Sequence, residues 1–355
     1  MVGIAVLGGG IYTKVAHVPA LIENRANVLA VYSRSTKSAT SVLDTFKAKD
    51  TDGNYPTGHI EIYSDETPEQ SLDVLLARSD IQACIITLPI LVQPDVVRRC
   101  LKAGKHVLCE KPIAKDVKTG RALLHDYETL YAPQGLVFSI AEQFRYDRAF
   151  GRAREIVAAG EIGKLSQIHA RVWGNMAPGN EYFETAWRKQ PEYQGGFVLD
   201  GGVHNIALLR RISGLDILET RGMAVQLSPH LPPVDTVNAA LKFSGGAVGS
   251  VNFTFTSTKR VVEFVFLGSK GALTVTAAST LSEQMKLIIE MAPGAGDSRE
   301  EVVEGKSMYE EIKAFINAAA SGVPDQAGSP REALIDVAVI ESLCSGGGLV
   351  RPFED

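Results

Sequence analysis

Val2-Gly3-Ile4-Ala5-Val6-Leu7-Gly8-Gly9-Gly10-Ile11-Tyr12-Thr13 opens the chain. It is a short apolar run that stops at three glycines and gives way to a helical pattern. Such a run has no polar alternation, so it predicts a strand buried on both faces, the type found in parallel sheets covered by helices. Working outward, further apolar runs at 28–32, 83–88, 106–109 and 136–141 alternate with amphipathic stretches such as 68–76 and 94–103. Gly104-Lys105 closes the latter helix, with glycine just past its last turn. The segment 50–58 is polar and rich in Gly, Thr and Asp, and reads as a surface loop. Strands alternating with helices predict a Rossmann-type parallel sheet over residues 1–138.

The pattern changes near residue 140. A helix at 149–159 ends at Gly160, and β-rich runs follow at 165–173, 216–227, 236–243, 249–256, 261–267, 272–276 and 285–290. Ser244-Gly245-Gly246 and Gly268-Ser269-Lys270-Gly271 supply hairpin turns. Helices at 308–320 and 330–345 close the chain. Residues 139–355 therefore read as an α+β domain with a mostly antiparallel open sheet. Val251, Phe253 and Phe255 alternate with Asn252, Thr254 and Thr256. An exposed face of Val, Phe and Thr on that sheet predicts a homodimer or homotetramer.

Composition narrows the function classes. A net charge of −5 over 355 residues, with 45% apolar residues, gives no basic field for nucleic acid or anionic lipid. No apolar run approaches the length of a membrane span. The N-terminus reads as a first strand rather than a signal peptide, which predicts a cytoplasmic protein. Cys84, Cys100, Cys109 and Cys344 have no metal-ligand spacing, and buried thiols are expected. No metal site is expected.

Gly8-x-Gly10 after a strand is the dinucleotide fingerprint, with Thr13 where Gly or Ala is usual. Gly8 permits the tight turn, and Gly10 leaves room for pyrophosphate beside the backbone N–H groups of Ile11 and Tyr12 at a helix start. The second strand ends at Ser33-Arg34-Ser35-Thr36-Lys37 without the carboxylate that would bond an NAD ribose. Ser33, Arg34 and Lys37 instead suit a 2′-phosphate. NADP is therefore the expected cofactor, with NAD possible. Thr87 and Leu88 end the 83–88 strand and Glu110-Lys111-Pro112 follows the 106–109 strand, all at the carboxyl edge where ligands bind.

With Gly104-Lys105-His106-Val107-Leu108-Cys109-Glu110-Lys111-Pro112, His17-Val18-Pro19-Ala20-Leu21, Trp187-Arg188 and Gly195-Gly196-Phe197-Val198-Leu199-Asp200-Gly201-Gly202-Val203-His204, the chain resembles the Gfo/Idh/MocA oxidoreductases over nearly its whole length. This resemblance implies that Lys111, Asp200 and His204 are the catalytic groups. Their chemistry is sound on its own terms. Positions 200 and 204 share a helix face, an imidazole exchanges protons near neutrality, and a lysine ammonium stabilises alkoxide charge. Arg145, Tyr146, Trp187 and Arg188, with Asp200 and His204, are candidate substrate contacts. For Arg145 and Tyr146 a structural ion pair and a core ring are equally open. The chain departs from the family pattern at Thr87-Leu88-Pro89 with Gln93, and at Gln143.

A sugar, polyol or related carbonyl substrate follows from the resemblance and from the polar, partly aromatic candidate set. The family also includes a yeast galactose-pathway repressor that works by binding a protein partner. A non-catalytic dinucleotide sensor is therefore the alternative, against which the intact trio of Lys111, Asp200 and His204 argues.

Overall fold

Gly3–Leu7 form β1, five consecutive buried residues. The strand has parallel neighbours on both edges, β2 (Asn27–Ser33) and β4 (Ala83–Ile86). Both edges are hydrogen-bonded and both faces covered, which is why its sequence is continuously apolar. β3 (Glu61–Ser64), β5 (His106–Glu110) and β6 (Phe138–Ala141) complete a six-stranded parallel sheet in the order β3-β2-β1-β4-β5-β6. The sequence reading omits β3. Its four residues, Glu-Ile-Tyr-Ser, lie at a sheet edge and carry no continuous apolar signal. The connecting helices include α1 (Val18–Glu23), α2 (Thr36–Lys49), α3 (Leu72–Leu76), α4 (Gln93–Lys102) and α5 (Val117–Asp126).

The second unit is built on a nine-stranded sheet in the order β14-β13-β12-β11-β7-β10-β9-β8-β15. Its strands are β7 (Leu165–Asn175), β8 (Ile217–Val225), β9 (Thr236–Phe243), β10 (Val248–Thr254), β11 (Thr256–Gly268), β12 (Gly271–Ala277), β13 (Gln284–Met291), β14 (Arg299–Glu304) and β15 (Gly347–Leu349). All neighbours are antiparallel except β10 and β7. The remaining helices of the chain are α6 (Arg148–Ala158), α7 (Ala186–Lys189), α8 (Gly196–Ser213), α9 (Ser307–Ser321) and α10 (Pro330–Cys344). The computed structural model describes residues 1–277 and 284–354. Among them no helix is long and apolar enough to cross a membrane. Cys84, Cys100 and Cys109 are buried thiols and Cys344 is half-buried.

Two expectations change. Val251 and Phe253 are fully buried, so they belong to the core of the second unit and not to an exposed apolar face. Asn252 between them instead accepts a hydrogen bond from the Trp173 indole, and Ser250 bonds His169 at 2.8 Å. The single cut at residue 138 also differs from the compact units, which are Met1–Ala114 with Lys118–Glu142 and Met308–Arg331, and Lys115–Val117 with Gln143–Ser307 and Glu332–Asp355. Nearly all of α9 thus returns to the first unit, because Ile312, Phe315, Ala318 and Ala319 are buried in the core formed by Ile4, Val6, Val28, Val31 and Phe46. Amphipathic periodicity shows that α9 has an apolar face, but not which core receives it.

The same face of α9 carries Glu311, which is fully buried, with neither carboxyl oxygen hydrogen-bonded. Burial pushes its carboxyl well above the ordinary range, and the charges of Glu110 and then Glu142 add to the rise. Folding therefore favours its protonated form. Stability is undiminished below the carboxyl's unfolded pKa and falls as pH rises above it. Glu311→Gln is expected to raise the thermal midpoint, by about 1 kcal/mol or more of stability at pH 8 and by less at pH 5. Thermal melts across that range check this, and an equal effect at both pH values would contradict the protonated assignment.

Candidate active site

The glycine turn is held from two sides. Gly8 has φ +133, and a Cβ there would lie 2.4 Å from Thr87 Oγ1 and 2.5 Å from the Thr87 carbonyl oxygen. That position therefore excludes any side chain on two independent grounds. A Cβ on Gly9 would lie 2.2 Å from Ser38 Oγ, which locks the turn against the first turn of α2. Gly10 differs, because the nearest atom to its would-be Cβ is 4.0 Å away, on Thr13. Gly10 is exposed and faces open space, the cradle that a pyrophosphate needs. The residues therefore fit a dinucleotide.

The helix after the turn is irregular. Thr13–His17 form a π turn in which the Val18 N–H donates to the Thr13 carbonyl, five residues back, and Pro19 follows without an N–H of its own. Thr13, the departure from the fingerprint, is fully buried and bonds Thr87 hydroxyl to hydroxyl at 2.7 Å. The usual glycine allows close helix–strand packing, and the threonine reaches the same strand end through a hydrogen bond. His17 is fully buried, with Nε2 2.6 Å from Glu110 Oε1. It ties this helix to the Glu110-Lys111-Pro112 segment. Sequence reasoning gave His17 no role, because a lone histidine in a helix signals no partner 93 residues away.

Ser33 ends β2 buried, whereas Arg34 and Lys37 are exposed. The Ser35 side chain caps α2 by accepting from the Ser38 N–H. Lys111 is half-buried directly after β5, and Thr87 and Leu88 are half-buried directly after β4. Gln93 is buried and accepts from the Cys109 thiol at 2.9 Å, so it packs inside the unit.

In the second unit, α8 carries Asp200, buried, and His204, half-buried, one turn apart. The Asp200 carboxylate accepts from Arg188 Nε at 2.7 Å. The Arg188 guanidinium lies 4.0 Å from the Trp187 ring centroid and 5.5 Å from that of Tyr182. An arginine flattened on two aromatic rings and bonded to a carboxylate has little freedom left. Tyr193 is buried beside this group. Burial, and then the Asp200 charge, push its hydroxyl above the ordinary tyrosine range. The His204 ring meets Phe144 edge-on at 5.0 Å. Arg145 has the other fate left open for it. It is buried and paired with Asp336, which also binds Arg210 at 2.8 Å. This is the structural ion pair that the sequence left open for it. Tyr146 is half-buried.

A family model described as an oxidoreductase family with an NAD-binding Rossmann fold matches residues 2–130, and a GFO/IDH/MocA C-terminal domain model matches residues 150–274. The chain belongs to the Gfo/Idh/MocA oxidoreductase family. Within it, the chain is 36% identical to the dehydrogenase FPY6 of Fusarium mangiferae over the full length of both. It is 30% identical to dTDP-3,4-didehydro-2,6-dideoxy-alpha-D-glucose 3-reductase of Streptomyces violaceoruber, over 70% of this chain and 65% of that one. The crystal structure of an oxidoreductase from Thermotoga maritima, 29% identical, superposes with a TM-score of 0.84 over 98% of each chain.

The three glycines give a paired test for a Gfo/Idh/MocA protein. Gly9→Ala is expected to lower stability by about 1–3 kcal/mol, because its Cβ has nowhere to go. Gly10→Ala is expected to fold with an unchanged midpoint yet bind NAD(P)H at least ~10-fold more weakly. Thermal melts and nicotinamide fluorescence titrations check both. A Gly10→Ala protein that binds normally would remove the cradle assignment.

Proposed function

We propose that this chain is an NADP-preferring oxidoreductase that interconverts a hydroxyl and a carbonyl on a sugar, polyol or related small molecule. The observation that carries the reading is the group on α8, with Asp200 clamped by Arg188 and His204 braced by Phe144 one turn later. This chemistry suits a polyhydroxylated substrate. The Asp200 carboxylate can accept a hydrogen bond from a substrate hydroxyl, while Trp187 and Tyr182 hold the arginine that is paired with it. The sugar-nucleotide reductase among the relatives supports the substrate class.

The nicotinamide, when bound, supplies or accepts the hydride at C4. His204 gives or takes the hydroxyl proton, and its ring is fixed against Phe144 while remaining half-exposed. Lys111, at the end of β5, stabilises the negative charge that develops on the substrate oxygen. Arg34 and Lys37 stand exposed at the start of α2, where they can pair with a 2′-phosphate, and this supports NADP. A cytoplasmic location and a homodimer or homotetramer are part of the same proposal, with the buried Val251 and Phe253 excluded from the interface between copies.

An NADP(H)-coupled screen over sugars, polyols and small carbonyl compounds tests the reading, and the absence of turnover on the whole panel would favour the non-catalytic sensor. On a confirmed substrate, Lys111→Ala is expected to lose at least ~100-fold in turnover while remaining folded. His204→Asn is expected to lose a similar factor and one limb of the pH–rate profile, with NADPH binding nearly intact. A His204→Asn profile identical to the starting one would pass the proton to another group. Arg34→Ala is expected to weaken NADPH selectively, and equal weakening of NADH would contradict the 2′-phosphate contact.

A further inference from the structure

The β2 end of this chain lacks the carboxylate that usually receives an NAD ribose, and no acidic residue lies in the first turn of α2. A carboxylate reaches the same place from the neighbouring strand. Just past the end of β3, Glu66 accepts through Oε2 from the Thr36 N–H at 2.9 Å, the first backbone donor of α2. The Thr36 backbone and then its hydroxyl hold the Glu66 carboxyl below its ordinary value, so it is ionised at neutral pH.

Two further contacts fix the β3 end against the β2–α2 connection. Tyr32 Oη donates to Asp65 at 2.7 Å, and Thr36 Oγ1 bonds Ser64 Oγ at 2.8 Å. Glu66 itself is exposed, and its carboxylate is held by the Thr36 N–H. It sits on a pinned strand end, on the donor that an anion at this helix start would use. Arg34 and Lys37 flank the same start with the opposite charge.

We propose that Glu66 sets the discrimination between NADH and NADPH, because its carboxylate occupies the Thr36 N–H that a 2′-phosphate would take. NADPH must displace this internal anion or bear its repulsion, while Arg34 and Lys37 pull the phosphate in. A ribose with a 2′-hydroxyl leaves the carboxylate in place and can donate to it. The acid absent from β2 is thus supplied by β3, and the chain accepts both cofactors, with the balance set by one carboxylate against two cations. The inference rests on the dinucleotide reading above and refines its preference for NADP.

Fluorescence titration of the full chain with NADH and with NADPH tests the proposal on four proteins: the starting chain, Glu66→Gln, Glu66→Ala and Arg34→Ala. In both Glu66 variants the ratio of the NADH Kd to the NADPH Kd is expected to rise about tenfold, mainly through tighter NADPH, as expected for removing a like charge a few ångströms away. Glu66→Gln retains an oxygen for the Thr36 N–H, so a loss of helix start in Glu66→Ala does not obscure the answer. A ratio within about twofold of the starting value in both variants, including equal weakening of both cofactors, overturns the proposal, as does a shift toward NADH. If the ratio ignores Glu66 while Arg34→Ala still weakens NADPH selectively, the NADP reading stands and only the role of Glu66 falls. If neither dinucleotide binds the starting chain, both fall together.

Discussion

A methyl group at Gly8 would strike Thr87, and one at Gly9 would strike Ser38. This steric constraint brings three separate parts of the first unit to one point: the end of β1, the end of β4 and the first turn of α2. The arrangement is self-consistent because each contact is short and bonded. The Gly8 N–H donates to the Tyr32 carbonyl at 2.8 Å, the Thr87 N–H donates to the Leu7 carbonyl at 2.8 Å, and the Thr13 and Thr87 hydroxyls join above them. The glycine turn is thereby fixed to two strand ends and one helix start of the first unit.

Beneath the junction lies an unusually polar interior. His17 and Glu110 form a buried pair, and Glu311 and Glu142 are also buried in the same unit. Charges are held inside a protein only when partnered, and a carboxyl without partners keeps its proton. His17 satisfies Glu110, and Glu311 resolves its own burial by neutrality. The π turn has a part in this, since it widens the helix where His17 must point inward and where Pro19 cannot donate. The segment Glu110-Lys111-Pro112 is thereby anchored from below, which leaves Lys111 half-exposed on a fixed backbone.

The second unit solves a similar problem with aromatic rings. Asp200 is buried, and its charge is answered by an arginine stacked on Trp187 and Tyr182. A carboxylate bonded to a stacked arginine is restricted in orientation, and the His204 ring packs edge-on against Phe144. A second buried network, Arg145–Asp336–Arg210, joins α8 to α10 and fixes the helix on which the candidate groups ride. Breaking one member of such a network would leave an uncompensated interior charge, which costs far more than the loss of a surface pair.

The sequence by itself determined the elements that repeat a strong local signal. These are the buried parallel strands, the glycine turn, the helix placing Asp200 and His204 one turn apart, and the run of antiparallel strands after residue 160. Each is encoded by neighbours along the chain, through apolar continuity, the helical period or a turn residue, so reading in order recovers it. Only the tertiary structure decided the rest. β3 is too short and polar to announce itself, α9 does not reveal which core it fills, and Val251 and Phe253 alternate equally well facing in or out. Arg145 carries the same charge whether it meets a substrate or Asp336. His17 and Glu66 found partners 93 and 30 residues away, and no local pattern encodes a contact whose two halves meet only after the sheet has formed.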